Sequence, residues 1–252
     1  MKTTKTITSF KKLINEEYDE VEIGTIDYWK EKDISVYDRI IENNKEINVD
    51  FSESWYEFVY EYFIEQMDKK FGWSPDESDI SFSGFWSQGD GASFEGNMDA
   101  SEVAELLKNI KLPKKQRILF DLANSGSVDI DVSFDRSGRY VHEKSVSTNI
   151  EIDVNDYEET FKLIADDNQH QDFDGMTADT EYDEDEHEDI VYDYCQSIAE
   201  DYEEIIDGWR LEACGQLYKE LEDAYEGLTS EESIYDTCVA NEYEFDENGE
   251  IQ

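Results

Sequence analysis

Residues 189–209 read DIVYDYCQSIAEDYEEIIDGW, and this stretch decides how the C-terminal part of the chain folds. Its apolar side chains recur every three or four residues, so they fall within about an 80° sector of a helical wheel. These side chains are Val191, Tyr194, Ile198, Tyr202, Ile205 and Trp209. The acidic side chains Asp189, Asp193, Glu200, Glu204 and Asp207 occupy about 60° on the opposite side. The pattern predicts an amphipathic helix with one buried stripe and one anionic stripe.

The end of this helix is marked by glycines. Gly208 interrupts the pattern weakly, and Gly215 is predicted to end the helix or to bend it. A further amphipathic run follows at Leu217, Leu221 and Tyr225, and it is predicted to stop at Gly227.

The anionic stripe has a charge density close to that of DNA. Between residues 189 and 207 the solvent side also holds Asp201 and Glu203, so a carboxylate occurs about every 4 Å along the axis. One strand of B-form DNA carries a phosphate about every 3.4 Å. Upstream acids extend the same surface: Asp183, Glu184, Asp185, Glu186 and Glu188. We predict that all these carboxylates bind a partner whose Arg and Lys side chains are placed for phosphates.

Acidic charge is distributed unevenly along the chain. The 252 residues carry a net formal charge of −45, and residues 151–252 contribute −33 of it, from thirty-six Asp and Glu against Lys162, Arg210 and Lys219. Such charge costs folding stability through self-repulsion and attracts cationic surfaces. The change near residue 150 leads us to expect an α+β scaffold domain over residues 1–150 and a strongly acidic, mainly helical region over residues 151–252.

Two β-hairpins are predicted within the first 150 residues. The segments ISFSGFW at 80–86 and ASFEG at 92–96 flank a turn whose glycines can supply positive φ. In VDIDVSF at 128–134 apolar and polar residues alternate strictly, and a second extended stretch follows over residues 140–152. The fold class is therefore predicted as α+β, with an antiparallel sheet of about four strands built from two hairpins and packed with helices.

Two helices are predicted around the first hairpin. Asp99 with Glu102 three residues later has the spacing of a capping box and opens one helix. An earlier helix is predicted from an apolar stripe at Trp55, Phe58, Val59, Tyr62, Phe63 and Met67. We expect this earlier helix to be central to the core.

Cysteine use and hydropathy indicate the compartment. Cys195, Cys214 and Cys238 are an odd number at no metal-ligand or redox spacing, so we expect buried thiols and a reducing compartment. No segment approaches the roughly 20 apolar residues of a membrane span. The expectation is a soluble cytoplasmic protein that membranes and nucleic acid repel.

Two segments resemble sequences of bacteriophage proteins. They are FSGFWSQGDGASFEG at residues 82–96 and SGRYVHE at residues 137–143. In overall character the chain also resembles the phage-encoded DNA mimics that disarm restriction or CRISPR systems. This resemblance implies anti-restriction or anti-CRISPR activity in the host cell cytoplasm, and it raises the expectation of a homodimer. It assigns no functional residue by position.

Calcium binding is an alternative of another class. His170, Asp172, Asp174, Gly175 and Glu181 fit positions 1, 3, 5, 6 and 12 of an EF-hand loop. The first position should be Asp, and His is a poor ligand for a hard cation. Asp172, Asp174 and Glu181 therefore remain a weaker metal-site candidate. A third alternative is an acidic chaperone of basic proteins, which would bind its partners through the same negative charge as a DNA mimic.

Enzyme chemistry has little support in the sequence. His187-Glu188 lacks the second His of a zinc-protease helix, and the GDG at residues 89–91 lacks the Lys of a phosphate-binding loop. We therefore predict a cofactor-free, non-enzymatic inhibitor that occupies the DNA-binding surface of a host nuclease or defence complex. Reversing the charges of Asp193, Glu200, Glu204 and Asp207 is expected to abolish binding and leave the fold intact.

Overall fold

The computed structural model describes residues 22–49, 55–110, 118–167, 173 and 175–252, and it has the predicted α+β architecture. In chain order the elements are β1 (Gly24–Thr25), α1 (Ile26–Lys32), α2 (Ile34–Asn43), α3 (Glu57–Phe71), β2 (Ile80–Phe82), β3 (Ala92–Phe94), β4 (Gly96–Met98), α4 (Ala100–Asn109), α5 (Ile118–Ser125), β5 (Val128–Arg136), β6 (Val146–Val154), α6 (Tyr157–Asp167), α7 (Glu184–Leu228), α8 (Glu231–Ala240) and β7 (Glu244–Phe245). None of these helices combines the length and the apolar composition that crossing a membrane requires.

The chain forms two compact units. Unit 1 is the described part of residues 1–55 together with residues 225–252, and unit 2 is the described part of residues 56–224. The change of charge near residue 150, where we predicted a domain boundary, lies within β6 and therefore inside unit 2.

Unit 1 is held together by its two chain segments. β1 pairs antiparallel with β7, and the indole Nε1 of Trp29 donates to the carbonyl oxygen of Phe245 at 2.9 Å. The core of this unit consists of Ile26, Trp29, Val36, Tyr37, Ile40, Ile234, Cys238 and Phe245. Side chains from α1, α2 and α8 thus close over the short sheet.

Both predicted hairpins form in unit 2, but they do not join into one sheet of about four strands. β2 and β3 make a two-stranded sheet, whereas β4, β5 and β6 make a three-stranded sheet. Only Glu95 lies between β3 and β4. Gly96, the first residue of β4, pairs with Phe134 and has a φ of +150°, where side chains are rarely accommodated.

The second hairpin has the predicted alternation of faces. Val128, Ile130, Val132 and Phe134 are buried on β5, and the residues between them are exposed or half-buried. An aromatic cluster of Trp73, Phe94, Phe134 and Trp209 covers this buried face, with ring centroids 5.6 to 6.3 Å apart. Because Trp209 belongs to α7, the cluster fixes the long helix to both sheets of unit 2.

α7 is one continuous helix of 45 residues, so the predicted end at Gly215 is wrong. Glycine costs a helix about 1 kcal/mol relative to alanine, which is not enough to end a helix whose neighbouring side chains are buried. Trp209, Cys214 and Leu217 lie beside the two glycines and are all buried. Gly208 and Gly215 themselves are exposed.

Candidate anionic interface on helix α7

The start of α7 is fixed by a reciprocal pair of hydrogen bonds. The Asp183 carboxylate accepts from the backbone N–H of Asp185 at 3.0 Å, and Nδ1 of His187 accepts from the backbone N–H of Asp183 at 2.9 Å. His187 is buried and stacks on Phe161, with ring centroids 4.5 Å apart. His187 is therefore a structural cap, and the acids of the first turn sit at the positive end of the helix dipole.

The buried stripe of α7 runs largely as predicted. Val191, Tyr194, Ile198, Tyr202 and Trp209 are buried. The exception is Ile205, which is half-buried, whereas its neighbour Ile206 is fully buried. The stripe continues beyond Trp209 through Arg210, Cys214, Leu217 and Leu221.

Eleven of the twelve predicted partner-binding carboxylates are exposed and are hereafter called the acidic row. They are Asp183, Glu184, Asp185, Glu186, Glu188, Asp189, Asp193, Glu200, Asp201, Glu203 and Glu204. Within the described part of the chain none of them makes a salt bridge to a Lys, Arg or His side chain. Among the described residues, the row thus carries exposed negative charge that no described cation pairs with.

Most of the acidic row lies on one side of the helix. At 100° per residue, Asp185, Glu186, Asp189, Asp193, Glu200, Glu203 and Glu204 fall within about a 100° sector. Glu184, Glu188 and Asp201 lie outside this sector. From residue 184 to residue 204 the row is about 30 Å long.

Asp207, the twelfth predicted residue, has an internal role. Its Oδ1 accepts from Nε and Nη2 of Arg210 at 3.0 and 2.5 Å and from the hydroxyl of Thr148 at 2.9 Å. Arg210 is only 1% exposed, and its Nη1 donates to the carbonyl oxygen of Glu143 at 2.7 Å. This carboxylate balances a buried cation and is not free for a partner.

Sequence reasoning did not assign Arg210 a role. It counted only as one of three cations in the acidic half. The position of Arg210 in the sequence could have indicated an internal role. Ile206 and Cys214, four residues before and after it, are both apolar and buried. An Arg between such residues on one helix face needs an internal acceptor.

A second acidic surface lies on the exposed face of the β5–β6 hairpin. In the antiparallel register Asp129 is opposite Asp153, and Asp131 is opposite Glu151. All four side chains are exposed. Like charges placed directly opposite each other destabilise a sheet, so this arrangement costs folding free energy.

Tyr157 is within electrostatic reach of one carboxylate from each acidic surface. Burial raises the pKa of Tyr157, and the negative charges of Glu188 and Asp153 raise it further. The pKa of Tyr182 is raised in the same way, first by burial and then by Glu188 and Glu184. Carboxylates from β6 and from the first turns of α7 therefore act on one region of unit 2.

The EF-hand-like loop gains no support from the described residues. His170, Asp172 and Asp174 lie outside them, and Glu181 is exposed. Across the described ranges there is no group of three or more His, Cys, Asp or Glu side chains that could hold a metal ion.

These observations define a class of protein, an α+β domain with an exposed acidic face on a long helix. Residues 55–231 match the family model described as a domain of unknown function, DUF8835, and the chain belongs to this family. No curated protein and no solved structure matches the chain.

Proposed function

We propose that this protein is a DNA mimic that inhibits a host defence protein by occupying its DNA-binding surface. The observation that supports the proposal is the acidic row, ten exposed carboxylates on α7 together with Asp183 just before it, with no salt bridge to the described cations. In this proposal the target is a restriction or CRISPR nuclease in the cytoplasm of a bacterial host. The inhibitor acts by stoichiometric binding and needs no cofactor.

The charge density of the row suits a phosphate-binding cleft. Carboxylates along α7 recur at nearly the interval of phosphates along one DNA strand, about 3.4 Å. Arg binds a carboxylate bidentately, much as it binds a phosphate. A cleft that presents Arg and Lys for DNA therefore finds acceptors at a matching density on α7.

Preorganisation strengthens this fit. A disordered acidic tail would lose conformational entropy on binding, whereas the row stands on a helix that is already packed against unit 2 through Val191, Tyr202 and Trp209. The self-repulsion of the row is a cost in the free protein, and a cationic partner relieves it.

The carboxylates of the β5–β6 hairpin extend the anionic surface. Duplex DNA presents two phosphate strands, and Asp129, Asp131, Glu151 and Asp153 supply a second set of exposed charges in unit 2. Of these, Asp153 acts on Tyr157 together with Glu188 of α7. We include them in the interface as a secondary contact.

The function is tested by retention of bacterial proteins on the immobilised chain, followed by elution with duplex DNA. The protein that DNA elutes is hereafter called the DNA-displaced partner. A triple variant, Asp193→Lys with Glu200→Lys and Glu204→Lys, is expected to retain none of it. Asp207 is left out of this variant because its replacement would unpair Arg210.

A matched control changes the net charge by the same amount elsewhere. Asp38→Lys with Glu42→Lys and Glu232→Lys replaces three exposed carboxylates of unit 1. The control should retain the DNA-displaced partner as the parent does. If the α7 variant retains as much DNA-displaced partner as the parent, the proposal is refuted. If the parent instead retains many small basic proteins, at more than one equivalent in total, the protein is a chaperone.

A further inference from the structure

Two aromatic side chains of unit 2 are largely exposed. Trp86 is 72% exposed and Tyr140 is 74% exposed, the highest values among the exposed large hydrophobic side chains in the described ranges. Single exposed apolar residues are ordinary on protein surfaces. These two, however, lie on loops that contact each other, residues 83–91 and residues 137–145, hereafter called the aromatic loop pair.

The first loop is held in one conformation by its own side chains. The Asp90 carboxylate accepts from the backbone N–H groups of Trp86 and Ser87 at 2.8 and 2.6 Å. The Ser83 backbone N–H donates to the carbonyl oxygen of Gly91 at 3.0 Å. Trp86 therefore stands on an ordered turn.

The second loop is held from the hairpin and from α7. The backbone N–H of Ser137 donates to the carbonyl oxygen of Ser145 at 2.8 Å, and the N–H of Ser145 donates to the carbonyl oxygen of His142 at 2.9 Å. The buried Arg210 donates to the carbonyl oxygen of Glu143. Tyr140 thus extends from a loop that is closed at its base.

The two loops are in direct contact. The hydroxyl of Ser83 donates to the carbonyl oxygen of Val141 at 3.0 Å. A Cβ on Gly91 would lie 3.2 Å from Cα of His142, closer than most Cβ contacts in proteins, so the two backbones approach each other tightly here. Ordering an aromatic contact residue before binding lowers the entropy cost of association.

The aromatic loop pair is electrically neutral in a chain of net charge −45. Arg139 and Lys144 balance Asp90 and Glu143, so the formal charge of the two loops sums to zero with His142 neutral. Trp, Tyr and Arg are the residues most enriched among the contacts that dominate protein–protein affinity. The loop pair therefore has the composition of a binding hot spot.

The loop pair lies on the same side of α7 as the acidic row. The hydroxyl of Tyr218 donates to the carbonyl oxygen of Gly84 at 3.3 Å, and its ring packs on Phe85 with centroids 5.6 Å apart. Tyr218 follows Glu200 by eighteen residues, which is five helical turns and about 27 Å. One partner surface can therefore cover the acidic row and the loop pair together.

We propose that Trp86 and Tyr140 form an aromatic anchor for the partner of the acidic row and enter an apolar pocket beside its cationic cleft. This inference rests on the proposed function and adds a contact that salt does not screen. It gives the inhibitor two kinds of contact, an electrostatic one along α7 and an apolar one at the loop pair.

The anchor is tested by affinity for the DNA-displaced partner at about 0.1 M and about 0.4 M NaCl, where the Debye length falls from about 10 Å to about 5 Å. Trp86→Ala with Tyr140→Ala is expected to raise Kd about thirty-fold or more at both salt concentrations. The matched control, Phe58→Ala with Tyr62→Ala, removes two other exposed aromatics from α3 and should change Kd by less than about threefold.

A second readout observes Trp86 directly. Labelling with 5-fluorotryptophan places fluorine on all five tryptophans, of which Trp29, Trp55, Trp73 and Trp209 are buried. The Trp86 resonance, assigned with Trp86→Phe, should shift when the DNA-displaced partner is added. The Trp29 resonance in unit 1 should not.

The outcomes separate this inference from the proposed function. If Trp86 does not shift and the loop variant binds like its control, the anchor is refuted, while a charge-reversed α7 that fails to bind still supports mimicry. A Trp86 shift on addition of single-stranded oligothymidylate would assign the loop pair to base stacking and would also refute the anchor. If the charge-reversed variant binds like the parent, both proposals are wrong.

Discussion

The buried Arg210 and the half-buried Asp207 form an ion pair one turn apart on α7, and the same guanidinium holds the loop that carries Tyr140 through the carbonyl oxygen of Glu143. Removing the partner of a buried charge costs about 3–5 kcal/mol because the charge is left uncompensated. Asp207→Ala is therefore expected to lower the free energy of unfolding by about 3 kcal/mol, measured by urea denaturation. The control Glu204→Ala removes an exposed carboxylate and should change it by less than about 0.5 kcal/mol. Equal effects would show that the pair does not stabilise the fold.

The capping box of α4 gives a stability term that depends on pH. Asp99 accepts from the backbone N–H groups of Ser101 and Glu102, and Glu102 accepts in return from the N–H of Asp99. Hydrogen bonds from Ser101 and Glu102 lower the pKa of Asp99 below its ordinary value of 3.8. Asp99→Ala should cost about 1 kcal/mol at neutral pH.

The sign of the pH dependence follows from the direction of that shift. A carboxyl with a lowered pKa in the folded state stabilises the protein above its unfolded pKa and loses this effect as pH falls through the folded pKa. The difference between the parent and Asp99→Ala should be constant from pH 7 to about pH 5 and shrink below about pH 4. A difference that grows on acidification would contradict the assignment of the cap.

Gly96 at the start of β4 and Gly89 in the loop between β2 and β3 form a matched pair of glycines. Both have positive φ, +150° and +101°, so alanine is strained at either position. At Gly96 a Cβ would also lie 2.9 Å from Cζ2 of Trp73, whereas at Gly89 it would meet nothing within 4 Å. Gly96→Ala should cost about 2–5 kcal/mol and Gly89→Ala about 1–2 kcal/mol in thermal or urea unfolding. Equal costs would show that Trp73 yields to the added methyl group.

The three cysteines are predicted to be unreactive in the native protein. All are free and buried, and burial raises the pKa of the Cys195 thiol to about 12 and that of Cys214 to about 11. A raised pKa leaves little thiolate near pH 8, and thiolate is the reactive species. A thiol-specific disulfide reagent should label none of them in buffer and all of them in denaturant. Rapid native labelling of any cysteine would contradict the packing of its unit.

Local patterns predicted much of this fold. The alternation over residues 128–134 and the cap at Asp99 specify structure through neighbouring residues alone, and both predictions are confirmed. The acidic row is also exposed as the helical wheel indicated. Such features depend on backbone periodicity, which a sequence displays directly.

The features that depend on distant partners were not predictable. Phe58 and Tyr62 share the spacing of Val59 and Phe63 but are 56% and 52% exposed, because packing of α3 selects one side of a wide apolar stripe. Asp207 has the same helical position as its acidic neighbours, and only the fold brings Thr148 and Arg210 to it. The loop pair likewise requires contact between segments that are distant in sequence, as at Ser83 and Val141, which are 58 residues apart.

The most direct test of the central claim is whether this protein and duplex DNA exclude each other from one surface. Fluorescence anisotropy of a labelled duplex bound to the DNA-displaced partner measures this as the protein is added. Mimicry predicts that anisotropy falls to the value of free duplex near one equivalent and that higher salt weakens this displacement. A rise in anisotropy, which reports a complex containing the partner, the duplex and this protein together, would contradict the account.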